Sequence, residues 1–317
     1  MRGRKHHVDL RRNILNCVAR MAELAQDMAG HQLDLKVEDD GRAYHVRKGL
    51  SGKLLDALYE DRMRDLLANF SQTTMGAAVL SFLDEKGTAV SFDHRFHKDV
   101  LGSAGNNNTI RLRAGLPAGE LIATLAHEAR HHVQFQEMEE SGQILPPRAT
   151  LVRAVLMEAD AHAFEQRFCE DYARVTGNTK PLEMHKGRRP DEMPKADLSD
   201  QQLILTWIDK IKNSSYVSTT FYRMGAIYAD MRDGLVDTLP SHCNEETDII
   251  ASMADKIGTK FGLKREDVLA RLDFGDKVES ELKKADAAYR HIHDGMRARA
   301  VVAGPMPAPA RPPAFMQ

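Results

Sequence analysis

The residues best placed to do chemistry lie in the stretch 121–136, LIATLAHEARHHVQFQ, where His127, Glu128 and His131 stand in the order His-Glu-x-x-His. Residues four apart on a helix share a face, with about 5–6 Å between their Cβ atoms, so two imidazoles at that spacing can hold one metal ion. Glu128 follows His127 by about 100° round the helix, near enough to reach a water on that ion without becoming a ligand. Two neutral imidazoles, a third protein ligand and a water suit zinc, and a glutamate beside them can take the water's proton. The chemistry expected is zinc-assisted hydrolysis, with one Zn2+ on His127 and His131 and with Glu128 as general base.

In a chain with 14 histidines such a pattern arises by chance roughly 0.04 times, so its surroundings must carry it. Leu121, Ile122, Leu125, Ala126, Ala129 and Val133 recur at helical spacing and give the motif an apolar face on which to pack. Pro117 suits a first helical turn, and Glu120 complements the positive end of the helix dipole. His132, five residues from His127, points off the ligand face and reads as packing or surface.

A third ligand is sought in the helical stretch LVRAVLMEADAHAF. Glu158 shares a face with Leu151, Val155 and His162, and a carboxylate on a partly apolar face needs a partner such as a metal. Asp160 lies about 200° from Glu158 and cannot share its ion; it reads as a solvent-facing acid. His162, one turn beyond Glu158, is either a partner that orients that ligand or a half-buried packing histidine.

HEARHH followed by EADAHAF resembles the zincin metallopeptidases whose third ligand is a glutamate, the gluzincin arrangement. The spacing and the Glu-Ala-x-Ala-x-x-Phe second motif are similar to the ImmA/IrrE-type and related metallopeptidases of bacteria and their mobile elements, over about residues 88–168. The resemblance implies His127, His131 and Glu158 as ligands, Glu128 as base, and a protein or peptide substrate. The three-histidine extension of metzincins is missing, since Gln134 to Glu137 follow the motif. A hydroxyl that stabilises the oxyanion would come from SSYVSTTFYRMGAIYADMR, which offers Tyr222 and Tyr228, with Tyr216 beside them. The competing reading is a regulatory protein that keeps the fold and the zinc without turnover.

The rest of the chain bounds the function. A formal charge of -2, from 44 basic and 46 acidic residues, provides no field for nucleic acid or an anionic membrane. No apolar run is long enough to span a bilayer, no signal peptide opens the sequence, and three scattered cysteines fit a reducing compartment, so a soluble cytoplasmic protein is expected.

Stepping along the chain, helical periodicity covers 8–31, and Asp40-Gly41 marks a hairpin within 33–46. Helices are predicted from about 50 to 70, from Ser71 or Thr73 to about 84, over 148–175, and over 199–212, 215–235, 245–261, 264–272 and 276–300. Strands are predicted at 88–93 and 108–113, joined by a polar loop. The second of these could rim a cleft and take an extended peptide by edge addition. The organisation expected is an N-terminal helix and hairpin (1–50), a zincin-like core (51–177), an exposed linker or lid (178–198), a helical part (199–302) and a Pro-rich tail without a core (303–317). The fold class is α+β, mainly helical, with a small sheet beside the motif helix.

Overall fold

In the computed structural model the described residues are 35–36, 45–46, 52–93, 96, 100–105, 107–138, 144–188, 198–233 and 245–303. The helix expected at 8–31 and the tail from 304 lie outside them. The hairpin is seen as β1 (Leu35–Lys36) and β2 (His45–Val46), antiparallel with Leu35 opposite Val46. The chain clusters into two units, residues 1–136 with 164–193, and residues 137–163 with 194–317.

In the first unit, α1 (Gly52–Phe70) and α2 (Thr74–Glu85) precede a three-stranded sheet. Thr73 begins α2 by accepting a hydrogen bond at Oγ1 from the Gly76 amide at 2.9 Å, which satisfies one of the donors a helix start leaves open. The strands are β3 (Ala89–Asp93), β4 (Gly102–Gly105) and β5 (Thr109–Arg113), in the order β3-β5-β4. β5 runs parallel to β3, Ala89 opposite Thr109, and antiparallel to β4, Gly102 opposite Leu112. Ile110 and Leu112 are fully buried while Arg111 is exposed, the alternation of a strand with one face in a core. Because β5 is paired on both sides, its backbone cannot accept a peptide by edge addition; the sheet edges are β3 and β4. The short β4, Gly-Ser-Ala-Gly, has no apolar alternation and lies in what reads from the sequence as a polar loop.

A four-residue turn leads from β5 into α3 (Ala118–Met138), the helix of the histidine motif. The Arg62 guanidinium of α1 donates to the carbonyl oxygens of Ala114 and Leu116 and fixes that turn. Leu121, Ile122, Leu125, Ala126 and Ala129 are buried and join Phe70, Leu83, Ile110, Leu112, Phe168 and Tyr172 in one core. At about 1.5–3 kcal/mol for each buried Leu or Ile, the three large residues on the inner face of α3 suffice to hold the helix against the sheet. Gly119 supports a further contact, since a Cβ there would come within 3.0 Å of the Lys180 backbone. This brings the start of α5 (Lys180–Arg188) onto the first turn of α3. Part of the stretch read as an exposed linker is therefore a helix whose Pro181 and His185 are buried. The prolines and charges of this stretch conceal that, because its buried positions Pro181 and His185 form no apolar stripe.

α4 (Pro147–Thr176) is one continuous helix that serves both units, its residues to Ala163 in the second and from Phe164 in the first. The second unit adds α6 (Asp200–Lys212), α7 (Ser215–Arg232), α8 (Glu246–Phe261), α9 (Arg265–Leu269) and α10 (Gly275–Ala303). Ser199 and Gln202 form a capping box at the start of α6, and the Glu246 carboxylate accepts the amides of Arg148 and Ala149 at the start of α4. Met224, Tyr228, Met231 and Tyr289 make a local core, with the Tyr289 hydroxyl donating to the Ile144 carbonyl at 3.0 Å. The fold is predominantly helical α+β with a small mixed sheet, as expected. No helix of the described residues is long and apolar enough to cross a membrane.

Candidate metal centre

The i, i+4 spacing on α3 brings His127 and His131 together as it must: their Nε2 atoms are 3.0 Å apart and their rings are inclined at 82°. The other nitrogen of each ring is engaged. His127 Nδ1–H donates to Glu165 Oε2 at 3.2 Å, and His131 Nδ1–H donates to Gln134 Oε1 at 2.9 Å. An imidazole that donates through Nδ1 presents the lone pair of Nε2. The two lone pairs therefore converge, which is the donor set a cation takes. Two nitrogens bound at about 2.05 Å in a tetrahedron would stand about 3.3 Å apart, so the pair fits zinc with small adjustment. Both belong to the His/Glu groups of the described residues that could hold a metal ion.

Glu128 follows on the same helix and is buried against β4. A Cβ at Gly102 would come within 2.8 Å of Glu128 Cγ and 2.9 Å of Thr124 Cγ2. Glycine at that position is thus what leaves space for the Glu128 side chain beneath the strand. His132 is buried on another side of α3, hydrogen-bonded through Nε2 to Thr88 Oγ1 at 2.8 Å, where it ties the helix to the start of β3.

Glu165, which the sequence reading passed over, is 0 % exposed. Its Oε1 accepts from His185 Nδ1 at 2.9 Å while Oε2 accepts from His127. The available signal was its spacing: Glu158, His162 and Glu165 fall at i, i+4 and i+7 on one face of α4. A second acidic residue on that stripe asks for a partner as much as Glu158 does.

Glu158 and His162 belong to the second unit. There His162 Nε2 stands 3.3 Å from Glu158 Oε1, and its ring stacks on Trp207 at 4.5 Å between centroids. The Tyr216 hydroxyl hydrogen-bonds Glu158, and burial first, then the Glu158 charge, holds its pKa well above the usual phenol value. Tyr222 on the same helix is 81 % exposed, and Tyr228 is buried with its hydroxyl against Met224 Sδ at 3.8 Å. Asp160 is no solvent-facing acid: it is 1 % exposed and paired with Lys260 of α8. Its offset from Glu158 turns it into the helical core of this unit, where an ammonium meets it.

No curated protein and no solved structure matches the chain. Residues 53–192, under half of the sequence, match the model of a family described as "Putative metallopeptidase family (DUF6782)", and it is to that family that the span carrying His127, Glu128, His131, Glu158 and Glu165 is similar.

Proposed function

We propose that the protein is a zinc metallopeptidase in which His127, His131 and Glu158 hold the ion and Glu128 is the general base. The observation that carries this reading is the pair of Nε2 atoms 3.0 Å apart, each on a ring whose Nδ1 is committed to an acceptor. The family match over residues 53–192 supports the same reaction class. For Glu158 the support is its position on the α4 face that also bears Glu165, the residue bonded to His127, and its side-chain neighbours His162 and Tyr216, which orient a carboxylate.

When bound, zinc supplies Lewis acidity, which brings a water toward a pKa of about 7 and polarises a carbonyl. The chain's residues do the rest. Glu128, fixed between α3 and Gly102, accepts the proton of the attacking water and hands it to the leaving amine. The Nδ1 hydrogen bonds of His127 and His131 keep both rings in the tautomer that presents Nε2. The substrate class is a protein or peptide. A zinc-binding regulator without turnover has no separate observation in its favour.

The test is the E128Q substitution, which removes the base and keeps the ligands. Loss of peptide cleavage by the purified protein with stoichiometric zinc retained is expected; cleavage at the parent rate would refute the mechanism. Zinc content unchanged in E158A would refute the third ligand alone.

A further inference from the structure

We infer that Glu165 is a positioning residue for His127, and that His185 of α5 is the clamp that holds Glu165 in place. The inference rests on the reading of His127 as a metal ligand. It concerns three residues of one unit: His127 on α3, Glu165 on α4 and His185 on α5. Glu165 is fully buried and His185 is 4 % exposed. The carboxylate is divided between two imidazoles, Oε2 to His127 Nδ1 at 3.2 Å and Oε1 to His185 Nδ1 at 2.9 Å.

A buried carboxylate is costly to desolvate, and a well-packed apolar residue in its place is often the more stable solution. The neighbouring Phe168 and Cys169 show that apolar residues are accommodated on this part of α4. What a leucine could not do is accept the Nδ1 proton of His127. That bond selects the ring's tautomer, fixes its rotation about χ2 and raises the basicity of Nε2, the atom turned toward His131.

His185 completes the arrangement from the opposite side. A carboxylate bonded through one oxygen can swing about its own χ3; bonded through both, it cannot. The backbone of α5 is itself fixed, by the close approach of Lys180 to Gly119 and by Leu182 in the core. The contact at Gly119 lies on the same helix as His127, so α5 is registered against α3 at one end and against Glu165 at the other.

The test uses the full-length protein and has two readouts that do not depend on turnover. The first is zinc affinity, by competition with a chromophoric chelator, with the d–d spectrum of the cobalt-substituted protein recorded in parallel. E165Q and E165A are expected to weaken binding by about 10–100-fold and to shift the cobalt spectrum. H185L should weaken it in the same direction, and H185N, whose amide can stand where Nδ1 stood, should recover part of the loss. If H127A loses zinc but E165Q and E165A bind within twofold of the parent, the positioning role is overturned and the ligand reading survives. If H127A binds zinc like the parent, both fall.

The second readout needs no variant at Glu165 and so holds even if those proteins fail to fold. Long-range nitrogen–proton correlation spectra of the metal-free, histidine-labelled protein, assigned with H127A, report the tautomer of His127. The Nδ1–H form is expected. The Nε2–H form would overturn the proposal.

Discussion

The Nε2 atoms of His127 and His131 stand 3.0 Å apart while Glu165 and Gln134 hold the Nδ1 side of each ring. Two convergent lone pairs repel until a cation joins them, so metal binding should stabilise the fold. With free zinc at a hundredfold excess over its Kd the gain is about 2.7 kcal/mol, or on the order of 5–10 °C in melting temperature. Differential scanning fluorimetry with EDTA and with added zinc should show this rise in the parent protein and none in H127A.

Gly102 has room for a hydrogen and nothing more, because Glu128 Cγ would lie 2.8 Å from a Cβ there. G102A should push the Glu128 carboxylate aside while leaving the histidines in place. A displacement of about 1 Å costs a reaction on the order of 10²-fold in rate. Peptide cleavage should fall by that order with zinc content unchanged; parent-level cleavage would show that Glu128 is not held by this contact.

Thr88 and His132 form a bond that involves neither His127 nor His131. T88V deletes the hydroxyl and leaves a buried imidazole nitrogen short of its partner, a loss of about 1–3 kcal/mol. Urea unfolding should register the loss, and zinc affinity should stay as it was. A large effect on zinc binding would mean that this bond orients the whole of α3.

Tyr216 has its pKa raised above the ordinary phenol value of 10.0 by burial and by the Glu158 carboxylate. Below about pH 10 folded and unfolded states both carry the proton, and the stabilising contribution is fully present. As pH rises from there toward the raised value the unfolded chain ionises first, so stability falls. Burial also raises the Tyr172 phenol, so absorbance titration near 295 nm should leave both tyrosines unionised above pH 10 in the folded protein, and Y216F should reduce that late step by the share of Tyr216.

Much of this molecule was legible in its sequence, because helical periodicity and cap residues are local. The histidine pair needed only a spacing of four, and the helix bearing it spans Ala118–Met138 where the apolar face of residues 121–133 required one. Apart from α5, the helices after residue 147 and the strands at 89–93 and 109–113 follow from their own apolar patterns in the same way. What the sequence did not determine was contact between segments distant along the chain. β4 exists because β5 offers it a partner, and that same pairing makes β5 the central strand. Asp160 found a lysine 100 residues away, and His185 came out of a charged, proline-rich stretch to meet Glu165. The ligand types and their spacing were written locally, whereas the residues that hold His127 in orientation were assembled only when α3, α4 and α5 packed. A hydrogen bond between side chains on three helices has no period in the sequence to reveal it.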